Sequence, residues 1–161
     1  MRIVHFTKDH WPDVEEIYLQ GIATGQATFE TESPGWKKWH AGHLDICRLA
    51  AIVDEKIVGW AALLSVSNRS VYRGVAEESI YVSAYHQGAG VGSFLLKHLV
   101  DESEKQGIYS LQAVMFPENI ASVQLHERNG FRKIGYKRQI AKLDGQWRDT
   151  VLYERRSATI M

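Results

Sequence analysis

Glu77-Glu78-Ser79-Ile80-Tyr81-Val82-Ser83-Ala84-Tyr85-His86-Gln87-Gly88-Ala89-Gly90-Val91-Gly92-Ser93 is the stretch that decides the fold. Its first six residues have strand composition, and period-two alternation puts Glu78, Ile80 and Val82 on one face with Glu77, Ser79 and Tyr81 on the other. Only one of the two glutamates is then expected to face a given cleft. Val91, Phe94, Leu95 and Leu99 next recur at helical spacing, with a stop near Gly107. Between strand and helix the glycines let the backbone approach a ligand closely, and the first-turn N–H groups of the helix attract negative charge. The junction reads as a phosphate cradle, set against the plainer reading of a turn that only starts a helix. A Walker loop is excluded because no Lys-Ser or Lys-Thr follows the last glycine. The spacing Gly88, Gly90, Gly92 fits a dinucleotide fingerprint poorly.

A second block, Asn119-Ile120-Ala121-Ser122-Val123-Gln124-Leu125-His126-Glu127-Arg128-Asn129-Gly130-Phe131, reads as a short helix with Asn119 as N-cap and Gly130 as its stop. Together the blocks resemble the GNAT superfamily of N-acetyltransferases, whose acetyl-CoA signature Gln-x-x-Gly-x-Gly is similar to Gln87, Gly90 and Gly92 here. Asn119, Ser122, Leu125, His126, Glu127, Gly130 and Phe131 resemble the branch that acetylates phosphinothricin, methionine sulfoximine and methionine sulfone, as do Glu78, Tyr81 and Val82 before the glycine loop. Ile17-Tyr18 and Ala27-Thr28-Phe29-Glu30 resemble that branch's substrate-side helix and loop, and residues 144–149 its final hairpin. The resemblance covers nearly the whole chain and is sharpest over residues 78–131.

The resemblance implies an α+β GNAT (acyl-CoA N-acyltransferase) fold, a mixed and mostly antiparallel central sheet flanked by helices. It implies acetyl-CoA as cosubstrate, no metal, and a homodimer. The acetyl group would pass in a direct ternary complex to the α-amino group of a small amino-acid analogue. Backbone groups of Ile80, Tyr81 and Val82 would meet the pantetheine arm and the developing oxyanion. Gln87, Gly88, Ala89, Gly90, Val91, Gly92 and Ser93 would hold the pyrophosphate, and Asn119 and Ser122 would approach from the neighbouring helix. Glu78 is the candidate general base, directly or through water, with Glu77 turned away by strand alternation; a solvated strand glutamate is the plain alternative. His126 stands where many relatives carry a tyrosine that protonates the departing thiolate, and it is read as an acid, a base or only a hydrogen-bonding group. Phe29, Glu30, Arg69, Tyr72 and Arg73 are the candidate acceptor residues, the arginines being suited to bidentate capture of a carboxylate unless they lie in a solvated loop. A protein, peptide or other small-amine acetyltransferase stays open as an alternative, as does a non-catalytic CoA-binding module. Carrying both Glu78 and His126 argues against the last.

The whole chain sets looser bounds. Its 161 residues, without linker or repeat, are expected to form a single domain over 1–161. Nineteen basic and nineteen acidic residues leave a formal charge of zero and no electrostatic case for nucleic acid or an anionic membrane. Apolar stretches fall short of a membrane span and the N-terminus carries no signal-peptide core, so a cytoplasmic location is expected. The lone Cys47 allows neither a disulfide nor a structural zinc site and is expected in or near the core. Patterning predicts strand at 2–6, helix at 11–22, a helical region at 36–44, a hairpin of 48–53 with 57–64, strand at 111–116, and a hairpin of 133–143 with 147–154.

Overall fold

Alternation along the strands sorts the apolar residues into two cores, one on each face of a seven-stranded sheet. The computed structural model describes residues 1–161. Chain order is β1 (Arg2–His5), α1 (Trp11–Ala23), α2 (Gly35–Gly42), β2 (Leu49–Val53), β3 (Lys56–Ser65), β4 (Val75–Val82), α3 (Val91–Lys105), β5 (Ser110–Met115), α4 (Ile120–Arg128), β6 (Arg132–Leu143) and β7 (Gln146–Arg156). The predicted elements are all present, with ends shifted by a residue or two. Spatial order is β1-β2-β3-β4-β5-β7-β6, and every neighbouring pair is antiparallel except β4 with β5. This is the mixed, mostly antiparallel α+β sheet expected.

Two tight turns set the hairpins. Asp54 and Glu55 both take positive φ (49° and 62°), as do Asp144 and Gly145 (50° and 78°), the backbone twist that two-residue hairpin loops require. On one face the α3 residues Val91, Leu95, Leu96, Leu99 and Val100 are buried against Ala76, Ile80 and Val82 of β4. Each such leucine contributes roughly 1.5–3 kcal/mol by leaving water. On the other face Trp11, Val14, Ile17 and Tyr18 of α1 and Trp39 of α2 pack on Ala50, Trp60 and Ala62, with Tyr81 at the margin. The faces of β4 thus divide as alternation predicts. Cys47 lies buried in the first core, and desolvation pushes its thiol up to about 12. No helix is long and apolar enough to cross a membrane.

What positions the site is a parting of two strands. β4 pairs with β5 only at Val75↔Ser110, Ala76↔Leu111 and Glu77↔Gln112, whereas its pairing with β3 runs on to Val82. From Glu78 to Val82 one edge of β4 has no β5 partner, so its backbone groups there face a V-shaped split.

Candidate active site

The split opens into a cavity of ≈ 340 Å³. Glu77, Glu78, Ser79, Ile80 and Tyr81 line one side, the end of β5 through Phe116 another, and Asn119, Ser122 and His126 of the α4 region a third. Residues 26–30 of the connection between α1 and α2 close the remaining side.

Glu78 points toward α4 and is almost fully buried, with a side chain 2% exposed. Its carboxylate meets Nε2 of His126, a residue 48 positions away in the chain. The other ring nitrogen, Nδ1, lies 2.7 Å from the Ser122 carbonyl, which can only accept, so Nδ1 carries a hydrogen. Burial by itself would lower the histidine's pKa, but the charge of Glu78, its hydrogen bond and the Ser122 carbonyl outweigh burial and hold it above the ordinary value. Both ring nitrogens thus face an acceptor, and the protonated ring can donate to Glu78 and to the Ser122 carbonyl together. The edge of Phe131 packs on the imidazole at 5.1 Å.

Glu77 corrects an expectation. Alternation does place it on the face opposite Glu78, yet it is not turned away from the cleft. It lines the same cavity and a second one of ≈ 350 Å³ beneath α1 and α2, and the two cavities share Thr28, Glu30, Ser79 and Tyr81. The reason is the departure of β5 at this residue, which leaves both faces of β4 bordering open space. Desolvation, and then the neighbouring charge of Glu78, raise its carboxyl pKa above the usual range, while Lys137 opposes them.

The glycine loop sits at the start of α3. Gly90 is the N-cap with φ +83°, a backbone conformation that disfavours any side chain. The N–H groups of residues 88–93 find no acceptor within the protein. Gln87 braces the loop by donating from Nε2 to the Val82 carbonyl at 2.9 Å. Gly92 lets α4 pack close, since an added Cβ would lie 3.1 Å from Leu125. Asn119 caps α4 as expected, accepting from the Ser122 N–H at 3.2 Å, and its Nδ2 donates to the Gln26 carbonyl at 3.2 Å. The side chains of Ile80 and Val82 belong to the core, and Tyr81 stacks on Trp60 at 4.9 Å. What these three offer the split is backbone.

Of the candidate acceptor residues, Phe29 and Glu30 line the cavity. Arg69, Tyr72 and Arg73 line neither cavity. They lie exposed around a short 3₁₀ turn before β4, with the Arg69 guanidinium 5.5 Å from the Tyr72 ring. Residues that the sequence reading did not single out complete the walls: Gln26, Phe116 and Thr150. No group of three or more His, Cys, Asp or Glu side chains stands close enough together to hold a metal ion.

Residues 8–131 match the Acetyltransferase (GNAT) family. A phosphinothricin N-acetyltransferase of Alcaligenes faecalis is 33% identical over 153 residues, covering 91% of this chain and 78% of that protein. An L-methionine sulfoximine/L-methionine sulfone acetyltransferase of Salmonella typhimurium is 31% identical over 116 residues, 63% of this chain and 68% of that one. The crystal structure of a GNAT superfamily phosphinothricin acetyltransferase from Sinorhizobium meliloti in complex with AcCoA superposes with a TM-score of 0.86 at 26% identity, covering 96% of this chain and 87% of that chain.

Proposed function

The chain belongs to the Acetyltransferase (GNAT) family, and from that premise we propose how its own residues carry acetyl transfer and to which acceptor. It is an acetyl-CoA-dependent N-acetyltransferase. The acceptor in our reading is the α-amino group of a small amino-acid analogue of the phosphinothricin, methionine sulfoximine or methionine sulfone type. The names of relatives about one-third identical support that class. The observation that carries the mechanism is the parting of β4 from β5 after Glu77, which bares a strand edge beside a half-buried carboxyl.

Acetyl-CoA supplies the activated acyl carbon as a thioester. The free N–H groups of residues 88–93 at the positive end of α3 suit its pyrophosphate. The bare edge of β4 over residues 78–82 suits its pantetheine arm, and one N–H there suits the developing oxyanion. Asn119 and Ser122 face the same cavity. Glu77 takes the proton of the attacking ammonium group, because a carboxyl with a raised pKa is the better proton acceptor near neutrality. Taking that proton on Glu78 would first uncouple a buried ion pair, at about 3–5 kcal/mol. Glu78 instead holds His126 in the wall of the cavity, and the proton that Glu77 has taken from the amine is the one passed on, directly or through water, to the leaving thiolate. Transfer is direct: Cys47, the single thiol, is locked in the core and no other cysteine is available to carry the acyl group.

We also place the enzyme in the cytoplasm, as one domain over 1–161 that forms a homodimer. Ile134, Tyr136 and Ile140 on the edge strand β6 and Trp147 on β7 are exposed, which supports a covering partner. The test of function is free-thiol release from acetyl-CoA with a panel of amino-acid analogues, polyamines and peptides. Turnover of methionine sulfone, methionine sulfoximine or phosphinothricin above peptides is the expected result; preferential turnover of peptides or amines lacking a carboxylate contradicts it.

A further inference from the structure

We propose that Arg148 is a positioning residue for the acceptor side of the cleft, latching residues 24–30, and with them Phe29 and Glu30, across the split. The proposal rests on the acetyl-transfer reading only for where the acceptor binds.

The segment between α1 and α2 belongs to no helix or strand, yet its residues 26–30 form a wall of the cavity. Local bonds shape it without tying it down: Thr24 Oγ1 donates to the Gly21 carbonyl at 2.6 Å, and the Gln26 and Glu30 N–H groups donate to Thr24 and Thr28 hydroxyls, each at 3.1 Å. It follows α1, which packs on the part of the sheet left of the split. Its long-range anchors come from the other part. Arg148 of β7 donates from Nη1 to the Gly25 carbonyl at 2.9 Å and from Nη2 to Gln26 Oε1 at 2.8 Å, across 123 and 122 positions of sequence. The guanidinium lies 4.0 Å from the centroid of Phe116, and Phe116 in turn meets Phe29 edge-on at 4.9 Å and 81°. Glu118 stands 3.6 Å from the same guanidinium.

Arg148 therefore shares the hold on the segment's backbone with Asn119, which donates to the Gln26 carbonyl, and it also seats the ring on which Phe29 rests. Its side chain is 15% exposed, and of the two charge-assisted bonds the one to the Gly25 carbonyl is part-buried while the one to Gln26 lies at the surface. The two bonds use the planar fork of arginine, a geometry that a lysine ammonium does not reproduce. The bare edge of β4 and the glycine loop lie outside this latch. Losing Arg148 is expected to disorder the acceptor wall and spare the cosubstrate seat.

The experiment pairs hydrogen exchange with steady-state kinetics on wild type, R148A and R148K. In R148A, exchange within 24–30 is expected to accelerate while that of β2 and β3 stays at wild-type rates. KM for the acceptor should rise about tenfold or more, and KM for acetyl-CoA should stay within about threefold. R148K should fall between, and it gives the same readouts if R148A does not fold. Wild-type exchange of 24–30 in both variants overturns the latch, as does a rise in KM for acetyl-CoA equal to that for the acceptor. Exchange is read without substrates, so failure of wild type to turn over any acceptor removes the functional reading and leaves the latch to be judged on exchange alone.

Discussion

The two sides of the split are built differently. The β4 side is a strand paired with β3 from Ala76 to Val82, with Leu63↔Glu78 and Leu64↔Glu77 as register partners and the buried Glu78–His126 pair at its back. The opposite side, residues 24–30, has no ladder, and it is tied across the split by side-chain contacts to Arg148, Asn119 and Phe116. A ladder fixes atoms to within the tolerance that proton transfer needs, whereas a strap can be remodelled without disturbing the chemistry. We therefore assign reaction to the first side and choice of acceptor to the second.

The sharpest way to break that division is on the rigid side. Glu77→Gln should lower kcat by about 10²- to 10⁴-fold with little change in acetyl-CoA affinity, read by thiol release and by equilibrium binding. An effect confined to KM would move Glu77 to the binding side. His126→Ala should cost about 3–5 kcal/mol in denaturant unfolding, because it strands the Glu78 carboxylate in a dry wall. A loss below about 1 kcal/mol would mean that water enters freely behind β4. Gly90→Glu should weaken acetyl-CoA binding by about ten- to a hundredfold, since it puts an anion on a cradle for anions and a side chain at φ +83°. Wild-type affinity in a folded variant would remove the loop from the cosubstrate seat.

A smaller effect sharpens the picture of the buried pair. The folded pKa of His126 lies above its ordinary 6.5, so the pair's stabilisation is complete below that pH and is lost as pH rises through the folded value. Glu78→Gln can still donate an amide N–H to a neutral Nε2, so stability of that variant should lose this pH dependence while keeping most of its alkaline value. Unfolding midpoints at pH 6 and pH 9 measure the difference.

Much of the rigid side is legible in the chain because its parts are local. Strand alternation, the glycines ending at Gly92 and the α3 stripe lie within about twenty-five consecutive residues, and Asn119 announces the start of α4 by its own capping chemistry. The partnership of Glu78 with His126 is not local, since each residue is equally consistent with a solvated or core position until α4 is laid beside β4. The openness of Glu77 was hidden for a related reason: alternation tells which way a side chain points but not where a neighbouring strand departs. Arg69 and Arg73 carry the right chemistry for a carboxylate, yet the turn before β4 keeps them outside both cavities. The Arg148 latch joins residues more than a hundred positions apart and leaves no periodic trace at all.

Glu77 is proposed as the proton acceptor and Glu78 as the group that only holds His126. The pH profile of kcat/KM for wild type, E77Q and E78Q tests this most directly. Wild type should show an acid limb falling below an apparent pKa above the ordinary carboxylate range, E78Q should keep the limb at lower pH because the Glu78 charge helps raise Glu77, and E77Q should lose the limb along with most of its rate. A limb that persists in E77Q and vanishes in E78Q would contradict the account and return the base role to Glu78.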